Sequence, residues 1–266
     1  MKIYSIEGKE LGNIELPEQF KETYHPDLIK RAVLAVQFNK RQRYGAFAEA
    51  GKRASVVISK RRRDYRTSYG HGISRAPRKV IWRRGRQFGW VGANAPGTTK
   101  GRKAHPPKAA KNLSVKINNK EAKKAIRSAL SATLSKEIVQ TRNHILPQIF
   151  PLFIESKIES TNKAKEANNI LNMLGLEKEL ARAAIKKVRA GKGKNRGRKY
   201  RKKTSLLIVV SENCSLVKSA KNIPGVQVAI IDKLNPELLA PGTHAGRLTM
   251  YTDKAVERLQ KEKLYI

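Results

Sequence analysis

Arginine is interleaved with planar side chains in three short runs, Arg63-Asp64-Tyr65-Arg66, Ile81-Trp82-Arg83-Arg84 and Arg86-Gln87-Phe88-Gly89-Trp90. A guanidinium neutralises a phosphate and an exposed ring stacks on an unpaired base, so this mixture suits a nucleic acid whose bases are splayed out. Structured RNA offers such bases beside dense phosphates, whereas duplex DNA mostly presents a regular groove. The runs lie in a window from Lys60 to Lys111 that holds sixteen Lys or Arg, one acid (Asp64), both tryptophans and seven glycines. Like charges at that density cannot pack into a core, and the apolar residues follow neither a helical nor a strand period, so the window is predicted to take shape only against a polyanion. Arg61, Arg62, Arg63, Arg66, Arg83, Arg84, Arg86, Lys100 and Lys108 are its candidate RNA-binding cations, and Trp82, Phe88 and Trp90 its candidate stacking rings. A merely solubilising tail would have no use for the two tryptophans.

Other chemistry is poorly supplied. Histidines 25, 71, 105, 144 and 244 are scattered without the spacing of a metal pair, and Cys214 is alone, which excludes an intrachain disulfide or a cysteine zinc site. Gly191, Gly193 and Gly197 in GKGKNRGRKY lack Walker spacing and precede a predicted strand, while Gly70 and Gly72 lack the third glycine of a dinucleotide fingerprint. No catalytic residue, metal or cofactor is therefore expected. Two rivals to an RNA-binding structural protein stay open on the residues alone. One is a nucleic-acid-processing enzyme, which would need clustered carboxylates where these are dispersed; the other is an architectural DNA binder, for which no helix-turn-helix, zinc finger or basic zipper is present.

The elements that carry these side chains follow from charge and periodicity. The chain has 266 residues and a net charge of +36, of which the window and a second basic stretch, 186–203, with eleven Lys or Arg and no acid, contribute 26. The remainder, about 10 charges, is that of an ordinary domain with a core. No run approaches 18 apolar residues and MKIYSIEGKELGNIEL alternates where a signal peptide would be continuously apolar, so a soluble, intracellular protein without a membrane partner is expected. A hairpin is predicted from Lys2–Ile6 and Asn13–Leu16, then a helix opened by Pro26. From about Arg41 the stripe fades into the arm. Order resumes at Asn118, where Glu121 completes a capping-box pattern and apolar residues run to Ile138. Short Ile, Val and Leu runs at 149–154, 206–210 and 226–231, and a last strand at 247–251, alternate with helical patterns at 162–174, 177–188, 215–221 and 253–263, the last with Thr252 as N-cap. The predicted class is α/β: a mainly parallel sheet flanked by helices on both faces, with a long extended basic loop inserted. The expected division is 1–40 with 112–266 as the globular domain, and 41–111 as the loop.

Four stretches, SYGHGISRAPRK (68–79), KGRKAHPPK (100–108), KVRAGKGKNRGRKYRKKTSLLIVVS (187–211) and LAPGTHAGRLTMYT (239–252), are similar to the family of the universal fourth protein of the large ribosomal subunit in its archaeal form. The resemblance implies a protein of the cytoplasmic ribosome in which large-subunit rRNA is contacted by Arg75, Arg78 and Lys79, by Arg102, Lys103 and His105, and by Arg196, Arg198, Lys199 and Arg201. Pro77, Pro106 and Pro107 would stiffen the loop. It further implies that the loop tip reaches the nascent-peptide exit tunnel, making Trp82, Phe88 and Trp90 candidate tunnel-tip residues; the family's tip is usually smaller or richer in glycine. Implied partners are large-subunit rRNA, neighbouring ribosomal proteins and the nascent polypeptide, without homo-oligomerisation.

Overall fold

Gly8, at φ 83°, lies in the turn between β1 (Lys2–Tyr4) and β2 (Glu10–Asn13), which pair antiparallel. Pro26, whose missing N–H costs nothing in a first turn, opens α1 (Pro26–Lys40), which buries Ile29, Ala32, Val33 and Ala35. The chain continues through β3 (Arg78–Arg84) and β4 (Gln87–Gly92), then α2 (Asn119–Leu134), α3 (Lys136–Thr141), β5 (Leu152–Ile154), α4 (Ala164–Met173) and α5 (Glu177–Ala184). It ends with β6 (Lys187–Val188), β7 (Tyr200–Arg201), β8 (Leu207–Val210), α6 (Ser215–Ser219), β9 (Gln227–Ile230), α7 (Pro236–Leu239), β10 (Thr249–Thr252) and α8 (Asp253–Lys261). This computed structural model describes residues 1–56, 59–64 and 66–266. They form two compact units, Met1–Lys40 with Ser114–Ile266, and Arg41–Leu113.

The first unit is a mixed α/β body on a six-stranded sheet of order β2-β1-β5-β10-β8-β9, parallel except for the β1–β2 hairpin. Alternate residues of its central strands enter different cores. Phe153, Leu207, Val209 and Tyr251 pack with Ile29 and Val33 of α1, Leu130 of α2 and Leu259 of α8. Leu152, Ile154, Ile208, Val210 and Met250 pack with Val139 of α3, Leu171 of α4 and Leu216 of α6. Apolar cover on both sides is why these strands read as unbroken Leu, Ile and Val runs. Phe153 and Tyr251 stack at 5.6 Å, and the buried Tyr251 hydroxyl pairs with Thr133 Oγ1 at 2.8 Å; burial pushes that phenol upward.

Several boundaries differ from the sequence expectation for identifiable reasons. Asn118 holds the N-cap of α2 without a side-chain cap bond, and Glu121, instead of reaching back to complete a capping box, accepts from Arg31 (3.3 Å) on α1. The helix stops at an extended Ser135 short of Ile138. Thr252 gives its hydroxyl to Glu159 Oε1 (2.7 Å) and so does not cap α8. α5 ends four residues before Val188, at an extended Ile185, and the following residues pair as the β6–β7 ribbon, which separates Lys186, Lys187 and Arg189 better than one helical turn would.

The second unit also departs from that expectation. The arm contains a regular antiparallel hairpin, β3 with β4, pairing Arg78 with Gly92 and Arg84 with Gln87 around Gly85 at φ 56°. The strand formers Val80, Ile81, Trp82, Phe88, Trp90 and Val91 supply the propensity. Arginine on both faces and a register irregularity between Val80 and Trp82 erase the alternation that would have announced it.

Candidate nucleic-acid interface

Two limbs of the arm unit run side by side, and small residues set their spacing. Ala46 N donates to Pro107 O (3.0 Å) and Asn94 Nδ2 to Ala54 O (3.4 Å). A Cβ on Gly51 would lie 2.3 Å from Arg102 N, and one on Gly45 2.9 Å from Ala109 N. Gly45, Gly51 and Pro107 thus hold Lys100, Arg102, Lys103, His105 and Lys108 along the returning limb; Arg102 is half-buried and the rest are exposed.

The hairpin gathers a second set. Arg83, Arg84 and Arg86 surround its turn, Arg83 Nε donating to Gly85 O (3.1 Å). Lys79 is exposed on β3, whereas Arg78 is half-buried, its guanidinium bonded to Ala76 O and Ser74 Oγ (both 3.2 Å) and 5.5 Å from the centre of Trp90. Phe88 meets Trp90 edge-on at 5.0 Å. Trp82 lies over Gly89, where a Cβ would fall 2.2 Å from Nε1, and is 55% exposed. The three aromatic candidates therefore divide: Trp82 is open, while Phe88 and Trp90 already contact one another. Arg61, Arg62 and Arg63 are exposed before the hairpin; Arg66 is half-buried, and Arg75 stacks over Tyr69 at 4.5 Å. Tyr65 of the first cation-planar run lies outside the described residues. Asp64 is held below its usual range by a hydrogen bond from Ser59 and by the Arg66 N–H.

In the first unit, Arg196, Arg198, Lys199 and Arg201 are exposed on the β6–β7 ribbon. Its return, through Gly197 at φ 78°, is tied by Arg189 N to Lys199 O (2.8 Å) and Arg198 N to Gly193 O (3.1 Å). The root of this ribbon is pinned by a buried carboxylate that sequence reasoning did not single out. Glu179 accepts from Arg182 Nε (2.7 Å) and Nη2 (2.6 Å), Ser205 Oγ (3.0 Å) and Ile145 N (3.0 Å), and pairs with His144 Nδ1 (2.7 Å), while Arg182 also donates to Thr204 O (3.0 Å). Burial acts to raise this acid, but the bonds from Arg182, His144 and Ile145 outweigh it and leave its pKa at about 2. Nearby, the fully buried Arg247 donates to Ser205 O (2.9 Å), Gln227 Oε1 (2.6 Å) and Leu238 O (3.0 Å), with burial pulling its pKa down.

Arg41–Leu113 carries twenty Lys or Arg against two acids, Glu49 and Asp64. Glu49 pairs with Arg53 (3.4 Å). Such a surface concentrates anions and has little to neutralise it from within. Sequence reasoning also passed over Arg41, Tyr44, Phe47 and Arg53, which repeat the cation-planar pattern upstream of the richest window: Arg41 lies 5.4 Å from the Tyr44 ring centre and Arg53 4.5 Å from that of Phe47. Among the described residues, no group of three or more His, Cys, Asp or Glu is placed to hold a metal ion, and no helix is long and apolar enough to cross a membrane.

Comparison with known proteins gives this arrangement a context. Residues 14–262 match the model of the ribosomal protein L4/L1 family. The chain is 48% identical over 264 residues to the large ribosomal subunit protein uL4 of Nanoarchaeum equitans, covering 99% of this chain and 98% of that one. It is 44% identical to the protein of the same name from Methanothrix thermoacetophila (98% of each chain) and 41% identical to that from Archaeoglobus fulgidus (97% of each).

Proposed function

This chain belongs to the ribosomal protein L4/L1 family, and from that premise we propose how its two units serve the particle. It is a structural constituent of the large subunit of the cytoplasmic ribosome and not an enzyme. The sheet-bearing unit, with helices over both faces, is the body; Arg41–Leu113 is an arm threaded among rRNA helices towards the peptide exit tunnel, with the β3–β4 turn and Trp82 at its tip beside the nascent chain and neighbouring ribosomal proteins. Arg61, Arg62, Arg63, Arg66, Arg75, Arg78, Lys79, Arg83, Arg84, Arg86, Lys100, Arg102, Lys103, His105 and Lys108 on the arm, and Arg196, Arg198, Lys199 and Arg201 on the ribbon, meet rRNA. The chain works as a single copy.

The observation that carries this reading is the arm's charge, twenty cations to two acids, laid on a backbone spaced by glycines and prolines and lined with aromatic rings. Neutralising rRNA phosphates releases condensed counterions, and that gain offsets the cost of bringing mutually repelling cations and RNA helices together. The test is binding to archaeal large-subunit rRNA across a salt series with duplex DNA as competitor. The log affinity should fall with log salt by roughly 0.7 to 0.9 for each phosphate neutralised. A flat plot, or equal competition by DNA, refutes the reading.

A further inference from the structure

One groove in the arm unit joins an exposed ring, several cations and a proline wall. Arg41, Tyr44, Lys103, His105, Lys108 and Lys111 line a cleft of about 830 Å³ whose wall is the Pro106-Pro107 pair. The cleft is held open by backbone: Ala46 N bonds Pro107 O at 3.0 Å, the Gly45 position abuts Ala109 N, and consecutive prolines restrict the opposite side. Tyr44 is 55% exposed, with the Arg41 guanidinium 5.4 Å from its ring centre.

We propose that this groove receives one extruded nucleotide of the rRNA, its base stacked on Tyr44 and its flanking phosphates held by Lys103, Lys108 and Lys111. This rests on the RNA-binding reading and deepens it, because it assigns Arg41, Tyr44 and Lys111 a site of their own. Cations alone would fit any polyanion. An aromatic face with a guanidinium over it and lysines lining the same cleft matches an unstacked base with its phosphates, and an acidic peptide would leave Tyr44 unused. The volume lies within the roughly 300 to 1,000 Å³ of sites that enclose a small ligand, so a base and its ribose have room. His105 adds a planar donor and acceptor at the rim for a base edge.

The experiment uses the full-length chain and an in-vitro-transcribed archaeal large-subunit rRNA, in filter binding over a salt series. Tyr44→Leu should weaken binding by about 5- to 150-fold, the range for loss of one base–aromatic stack, and leave the salt slope unchanged. Tyr44→Phe should bind as the parent does. Lys103→Ala and Lys108→Ala should each reduce the slope by roughly 0.7 to 0.9. A photo-crosslinking residue at position 44, in particles assembled with the other ribosomal proteins, should attach to a single rRNA nucleotide. Parental affinity in Tyr44→Leu against a steep parental salt plot overturns the groove assignment alone, as does a crosslink to a protein. A flat parental plot overturns the RNA reading and the groove with it.

Discussion

Replacing Glu179 with glutamine isolates what the buried carboxylate contributes to the body. The substitution keeps the shape and one acceptor oxygen but removes the charge, leaving Arg182, whose side chain is 15% exposed, without its counterion and setting an amide against the His144 ring, 2% exposed. Glu179 titrates at about 2 in the fold against an ordinary 4.5. At roughly 1.4 kcal/mol per pKa unit, its charged form therefore stabilises the fold by about 3 kcal/mol near neutral pH. Measured losses on breaking a buried pair, about 3 to 5 kcal/mol, bracket the same value from above. For a body of this size that corresponds to a melting shift of about 6 to 12 °C. Far-UV circular dichroism during urea unfolding is the assay, because the body holds the helices while both tryptophans sit in the arm. Since the folded pKa is depressed, the contribution is complete above 4.5 and fades as pH falls from there through about 2. The gap between parent and Glu179→Gln should shrink over that window and not with added salt. Glu257→Gln, which removes an exposed partner of Lys261 at 3.4 Å, is the control and should move stability by less than about 0.5 kcal/mol. Equal midpoints for parent and Glu179→Gln at pH 7, or a gap unchanged at pH 3, would refute the reasoning.

Gly246→Ala should cost the body at least about 2 kcal/mol, because the residue sits at φ 86° and a Cβ would come within 2.7 Å of Ile138 O; unfolding midpoints within a few tenths of the parent would contradict the close approach. Gly89→Ala must displace the Trp82 indole, so tryptophan emission should shift while far-UV melting of the body stays the same; an unmoved spectrum means the indole does not lie across β4. Amide exchange in the free protein should be slow through Leu207–Val210, which are 0 to 1% exposed, and fast in the solvated β3–β4 hairpin, and equal protection of the two would remove the distinction between body and arm. Tyr251→Phe should cost about 1 kcal/mol, since Thr133 keeps its bond to Leu130 O at 2.7 Å; a loss above about 3 kcal/mol would show that the hydroxyl pair carries more than one ordinary hydrogen bond.

The central strands were legible because burial on both faces leaves an unmixed apolar run, and α1 because Pro26 and the Ile29, Val33 spacing agree. Caps were not, since a cap side chain or its capping-box partner can be drawn off by a neighbour that is distant in sequence: Glu121 goes to Arg31 and Thr252 to Glu159. The Glu179 cluster was hidden for a related reason: the Arg182 partner, three residues on, reads as an ordinary surface pair of α5, and the partners that bury it lie at 144, 145 and 205. The β3–β4 hairpin escaped because strand propensity survives arginine on both faces but periodicity does not. Charge made the arm plain as a cationic segment and concealed its internal order.

That order bears on the RNA contacts proposed for the arm. Its cations, short of acids, rest on rings: Arg41 on Tyr44, Arg53 on Phe47, Arg75 on Tyr69 and Arg78 on Trp90. An exposed cation–π contact is worth about 0.5 to 1 kcal/mol, and a charge-assisted hydrogen bond to a phosphate about 1.5 to 3. A phosphate therefore outcompetes the ring for the guanidinium, and each exchange frees a planar face for a base. Glycine at 45, 51 and 89 lets neighbouring backbone and rings approach closely around these pairs. Exchanging a ring for a phosphate at a side chain already held in a pair costs less conformational entropy than fixing an unpaired side chain, so the affinity left for a given number of phosphate contacts is higher.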